Sequence, residues 1–159
     1  MHFAVVTVSD RCSQGLMTDT AGPAVAALLQ REWPATEIRS ELLPDDEDRI
    51  AALLQNLCDR GAMLVLTVGG TGLGPRDRTP EATRRVIERE APGLAEAMRA
   101  NGAQRNQYAW LSRGIAGLRG NSLILNLPGS RRGAEESLIS ILALLRHALE
   151  VAAGGQSHP

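Results

Sequence analysis

The sequence predicts a three-layer α/β/α fold on a mostly parallel sheet, with one antiparallel strand contributed by a late hairpin. Three observations carry this. Short β-rich runs alternate with helical stripes along most of the 159 residues, and that order implies right-handed βαβ units around a parallel sheet. Residues 62–68 (AMLVLTV) form an unbroken apolar run, as expected of a central strand covered on both faces. Two late segments, 111–118 and 122–127, are joined only by Arg119-Gly120-Asn121. That link is too short for a parallel crossover, so the pair reads as a hairpin.

In chain order, 3–8 (FAVVTV) is a strand ended by Ser9-Asp10. A helix over 19–31 is predicted from the stripe Ala21, Val25, Leu28 and Leu29 behind a polar start, and Trp33-Pro34 stops it. Strand 38–43 closes at Pro44. The acids at 45–48 then suit a helix N-terminus, where the macrodipole favours negative charge. Ile50, Leu53, Leu54 and Leu57 continue that helix to Gly61. After strand 62–68 comes a glycine-rich loop, followed by a helix with Thr79 expected as N-cap and Pro80 at the first helical position. A further helix follows Pro92 and runs to Asn101-Gly102. The last helix, 133–153, carries the stripe Leu138, Ile141, Leu142, Leu145 and Leu149. One domain over 1–153 and a flexible tail over 154–159 are the expected organisation.

Composition removes several function classes. All 17 basic side chains are arginine, which excludes Schiff-base chemistry on lysine and a Walker A loop. A net charge of −1 and an aromatic content of 3 % offer neither the field nor the stacking platform expected for nucleic acid. No apolar run is long enough to span a bilayer. Cys12 and Cys58 lack metal-site or redox spacing, in keeping with reduced thiols in the cytoplasm.

Ligands in open α/β sheets sit beyond the carboxyl ends of the strands, which selects four loops: 9–15, 44–48, 69–77 and 128–130. Gly69, Gly70, Gly72 and Gly74 place four glycines in six residues, exposing amides to a phosphate or carboxylate. The loop is no dinucleotide fingerprint, because Pro75 stands where the third glycine is needed. Asp45 and Asp77 each follow a strand end and suggest a shared Mg²⁺, although a helix cap for Asp45 and a local ion pair for Asp77 are the plainer alternatives. Ser9, Asp10, Asn126, Pro128, Gly129, Ser130, Arg131 and Arg132 add donors, with Ser112-Arg113 as one more pair. The three histidines support no Ser-His-Asp set.

These residues, in this order, resemble the MogA/MoaB-type molybdopterin-binding proteins of molybdenum cofactor biosynthesis, relatives of the gephyrin G domain. The carrying motifs are 7–11 (TVSDR), 43–46 (LPDD), 69–83 (GGTGLGPRDRTPEAT), 111–113 (LSR) and 125–130 (LNLPGS). The resemblance implies Mg²⁺- and ATP-dependent adenylylation of molybdopterin with release of pyrophosphate, in a homotrimer or dimer of trimers, with a molybdenum insertase as a possible partner. It places catalysis and Mg²⁺ on Asp45 and Asp77. Substrate binding would fall to Ser9, Asp10, Gly69, Gly70, Thr71, Gly72, Ser112, Asn126, Pro128, Gly129 and Ser130. Many relatives have Pro-Lys after the late Pro-Gly-Ser, where this chain has Arg131-Arg132. A MoaB-like carrier or scaffold that binds molybdopterin without transferring adenylate is the alternative.

Overall fold

Six strands form one sheet in the order β2-β1-β3-β6-β5-β4, in a computed structural model that describes residues 2–155. β1 (His2–Val8), β2 (Glu37–Leu43), β3 (Leu64–Val68) and β6 (Ser122–Leu127) pair in parallel. β5 (Ala116–Arg119) runs against both β6 and the two-residue β4 (Arg89–Glu90), so β5 alone is reversed among the described strands. The expected mostly parallel sheet with one antiparallel strand is the observed one.

Strand alternation builds the three layers. Phe3, Val5, Leu64, Leu66, Leu123 and Leu125 point to one face and pack against α2 (Ala21–Glu32), α5 (Pro92–Ala103) and α6 (Arg131–Ala152). Their neighbours Ala4, Val6, Val65 and Ile124 point to the other face, against α3 (Glu47–Asp59) and α4 (Thr79–Arg84). Successive side chains of a strand face opposite ways, so a strand apolar at every position must be covered twice. The N-caps are chosen for chemistry. The Asp46 carboxylate accepts the Arg49 amide at 3.0 Å and the Ser130 hydroxyl accepts the Gly133 amide at 3.2 Å, opening α3 and α6.

Several local expectations are corrected. Thr79 is the first helical residue of α4 and not its cap. Its amide donates to the Gly70 carbonyl at 3.1 Å, which draws it under the glycine loop. Its buried hydroxyl is left without a partner. The strand expected from 111 begins only at Ala116. Residues Gln107–Leu111 form a 3₁₀ turn, and 112–115 are irregular because their polar groups bond to the glycine loop and to Asn126 instead of a ladder. The helix expected from 19 begins at Ala21, with Asp19 outside it accepting the Gly22 amide at 2.9 Å. The short α1 (Asp10–Ser13) and β4 were not foreseen. Of the tail expected over 154–159, residues 156–159 lie outside the described residues.

Candidate active site

Because β2, β1, β3 and β6 are parallel neighbours, the loops at their carboxyl ends share one rim of the sheet. Beside it lies a cleft of about 720 Å³. One wall is the glycine loop with Gly70, Thr71, Gly72 and Asp77, a second is the start of α6 with Pro128, Gly129 and Ser130, and a third comes from α5 and the 3₁₀ turn. Ser112 and Asn126 also line it, whereas Ser9, Asp10, Asp45 and Gly69 do not.

The glycine loop is wrapped around a carboxylate. Gly69 and Gly70 adopt φ of +104° and +66°, conformations that favour glycine. The Gly74 amide donates to Asp77 Oδ2 at 2.9 Å. A methyl group on Gly72 or Gly74 would stand 2.9 or 2.7 Å from that oxygen, so these two glycines admit the carboxylate itself. One amide of the loop is therefore committed to Asp77 and not to an external anion.

Asp45 is held from the other side. Asp45 and Asp10 exchange bonds, each amide donating to the other's carboxylate at 3.0 and 2.9 Å. Arg76 grips Asp10 through Nε at 2.6 Å and Nη2 at 3.0 Å, and donates to the Asp45 carbonyl at 3.1 Å. The Asp10 carboxyl is lowered by Arg76 first and by the Asp45 amide second. Asp45 is raised, chiefly by burial, with the charges of Asp10 and Asp77 adding against the Asp10 amide. A methyl group on Gly70 would meet Thr79 Oγ1 at 2.2 Å and Asp45 Oδ1 at 3.1 Å. Asp45 thus reaches the glycine loop behind the cleft surface.

Ser9 and Asn126 have structural bonds of their own. Ser9 Oγ accepts the Cys12 amide at 3.2 Å and caps α1. Asn126, 1 % exposed, donates to Thr67 Oγ1 and Thr83 Oγ1 at 2.9 Å each and accepts the Ile115 amide at 3.1 Å. This buried amide ties β3, α4 and the segment before β5 to β6 beneath the cleft floor.

The third wall escaped sequence reasoning. Met98, Arg99, Arg105, Tyr108, Ala109 and Leu111 line the cleft. The aromatic signal near them was the pair Tyr108 and Trp110, two of four aromatic residues in the chain; both are well exposed, and of the two Tyr108 lines the cleft. Arg99 donates to the Gly114 carbonyl at 2.7 Å and binds α5 to the 112–115 segment. At the mouth, Arg132 bonds Glu136 at 2.9 Å, and Arg105 stands 3.9 Å from the same carboxylate. The arginine that replaces the usual lysine therefore does face the cleft.

Arg113 lies behind the wall and bonds Glu81 at the start of α4. For the Glu81 carboxyl, burial raises the pKa while the Arg113 guanidinium, the backbone amide of Glu81 itself and the charge of Arg78 outweigh it, so the value is lowered overall. A lowered carboxyl stabilises the fold above its unfolded pKa, and that contribution disappears as pH falls through the folded value. Thermal unfolding of the native chain should therefore lose a component on acidification from neutral pH to below the ordinary carboxylate range. Glu81→Gln should lack that component, and parallel melting-temperature profiles for the two proteins would contradict the assignment.

Among the described residues, no group of three or more His, Cys, Asp or Glu is placed to hold a metal, and no helix is long and apolar enough to cross a membrane.

A family model described as a probable molybdopterin binding domain matches residues 4–147. The molybdenum cofactor synthesis protein cinnamon of Drosophila melanogaster is 43 % identical over 94 % of this chain, which spans 25 % of that protein. A molybdopterin adenylyltransferase of Helicobacter pylori (strain J99) is 36 % identical, over 97 % of this chain and 89 % of its own length. Among solved structures, a molybdopterin biosynthesis enzyme MoaB from Thermus thermophilus is 49 % identical, with TM-score 0.87 and 96 % of each chain covered. With the family model matched across strands β1 to β6 and into α6, the chain belongs to the molybdopterin-binding domain family of molybdenum cofactor biosynthesis.

Proposed function

We propose that the protein is a molybdopterin adenylyltransferase, joining the phosphate of molybdopterin to the α-phosphorus of ATP and releasing pyrophosphate. One observation carries the reading: Asp45 and Asp77 converge on a glycine loop whose exposed face lines a large cleft. Several molybdopterin adenylyltransferases are 36–40 % identical to this chain over most of its length.

The residues fit a magnesium ion. The charge of Asp77 bears on Asp45, burial disfavours the ionised form of Asp45, and the Thr79 hydroxyl lies orphaned against Gly70, the glycine that Asp45 also approaches. A cation would relieve all three. Two carboxylates and not three suit Mg²⁺, which is commonly completed by substrate phosphates and water. When bound, Mg²⁺ would neutralise charge on the ATP phosphates.

The chain's own residues supply binding and alignment. Arg132, the Ser130 hydroxyl and the first turn of the 22-residue α6 present donors for phosphate oxygens. Met98, Ala109, Leu111 and Tyr108 offer an apolar side for a flat ring system. A molybdopterin phosphate oxygen forms the new bond to the α-phosphorus as the bond to the pyrophosphate oxygen breaks. The nucleophile is already an anion, so no general base is needed, and alignment of two bound substrates is the main requirement. We place this work in one domain covering 1–153, in a cytoplasmic homotrimer or dimer of trimers that passes its product to a molybdenum insertase.

The other reading is a MoaB-like carrier that binds molybdopterin without transferring adenylate, although the MoaB that is 49 % identical is itself named an enzyme. Incubation with Mg-ATP and molybdopterin separates the two. Stoichiometric pyrophosphate with adenylylated molybdopterin is expected, while molybdopterin binding without pyrophosphate would select the carrier.

A further inference from the structure

Arg113 spends its polar groups on the glycine loop. Its amide donates to the Thr71 carbonyl at 2.9 Å, Nε to the Gly72 carbonyl at 2.8 Å and Nη2 to the Asp77 carbonyl at 2.6 Å, while Nη1 bonds Glu81. Arg113 does not line the cleft, but its neighbours Ser112 and Gly114 do. One guanidinium therefore fastens both ends of the 72–77 loop to the adjoining segment that bears Ser112 and Gly114.

The bonds within the loop have a different job. Gly74 N–H to Asp77 Oδ2 at 2.9 Å and Asp77 N–H to the Gly74 carbonyl at 3.0 Å keep the turn closed on itself. They set its shape but not where it stands, because both partners lie inside it. Leu73, Gly74, Pro75 and Arg76 are exposed, so little packing restrains the loop from outside. Placement is left to Arg113, to the Arg76–Asp10 pair and to the Thr79–Gly70 bond. A planar fork reaches three acceptors at once, which a single ammonium cannot do in the same geometry.

We infer that Arg113 is a positioning residue: it sets the distance and attitude of Asp77 relative to the cleft wall bearing Ser112, without touching substrate. The inference rests on the adenylyl-transfer reading for its kinetic consequence, but not for its structural one. Misplacing a catalytic group by an ångström can cost about 100-fold in rate, so Arg113→Ala should lower kcat by about that factor with KM for ATP nearly unchanged.

Arg113→Ala and Arg113→Lys are to be compared with the native full-length chain for pyrophosphate release and for amide hydrogen exchange. In both variants the 72–77 amides should exchange faster while β3 and β6 keep their protection. Lysine should not restore kcat, and guanidinium ion at non-denaturing concentration should restore part of it to Arg113→Ala. Native kcat in Arg113→Ala, or full rescue by lysine, would overturn the inference. Unchanged exchange in the 72–77 loop of Arg113→Lys, which keeps the charge and most of the volume, would overturn it as well. If the native chain itself releases no pyrophosphate, the transfer reading fails alone, and hydrogen exchange still decides whether Arg113 places the loop.

Discussion

Asp77→Asn is expected to reduce adenylyl transfer by about 10³-fold, the scale on which a pre-organised electrostatic group contributes to a charged transition state. Asparagine is the informative choice. Its side-chain oxygen can still accept the Gly74 amide that Asp77 Oδ2 accepts at 2.9 Å, and the amide is close to a carboxylate in size. The loop should stay closed, and the variant would then lack only the negative charge. Molybdopterin affinity should stay within about threefold, because an interaction made mainly in the transition state lowers kcat without weakening ground-state binding. Single-turnover measurement of pyrophosphate, with a separate equilibrium titration of molybdopterin, resolves the two quantities. Native turnover in the variant would remove Asp77 from the reaction, and equal losses in affinity and turnover would make it a binding residue only.

The largest effect on stability is expected at Gly69, although it does not line the cleft. Its φ of +104° is unfavourable for any other residue. A methyl group there would lie 2.3 Å from the Val8 carbonyl oxygen. That oxygen has little room to withdraw, because Val8 is paired with Leu43 of β2 and the residue before it, Thr7, with both β2 and β3. Gly69 is anchored too, its amide donating to the Leu127 carbonyl at 3.1 Å. Strain and backbone clash together should make Gly69→Ala cost about 3–5 kcal/mol, in the upper tail for single substitutions. Gly61 is the control, with φ of +83° and no atom within 4 Å of an added methyl, so Gly61→Ala should cost only about 1 kcal/mol of backbone strain. Denaturant midpoints for both variants measure the difference. Equal shifts would show that the approach of Gly69 to β1 carries no penalty.

The layers and the four functional loops could be read from the chain because each depends on a local pattern. Apolar residues at four of the five positions of 64–68, on both faces of the strand, demand cover on two sides, and the carboxyl ends of parallel strands must share an edge. The glycine loop was readable as a site, but its relation to Asp77 was not, since two residues, Pro75 and Arg76, separate Gly74 from Asp77 whether or not the carboxylate folds back. Thr79-Pro80-Glu81 carries the same signal for a cap at 79 as for a helix beginning there. The deciding contact, its amide on the Gly70 carbonyl, is tertiary. The segment 111–118 reads as a strand, yet bonds from Arg113 and Ile115 to distant partners hold 112–115 outside the sheet. The wall from α5 was hidden for a related reason. Met98 has a core spacing on its helix, and only the packed fold puts it beside a cavity.

The sheet ends on β2 and β4, strands of seven and two residues, and this inequality bears on how the protein avoids sticking to itself. An open strand edge is a template for another chain. β4 offers too short a template to nucleate one, and both of its residues, Arg89 and Glu90, are exposed charges. β2 is long enough, but it carries Glu37, Arg39 and Glu41. A second β2 added in parallel register would set glutamate beside glutamate and arginine beside arginine. The seven-residue edge is thus guarded by its own sequence against self-templated growth, the first step of amyloid-like aggregation.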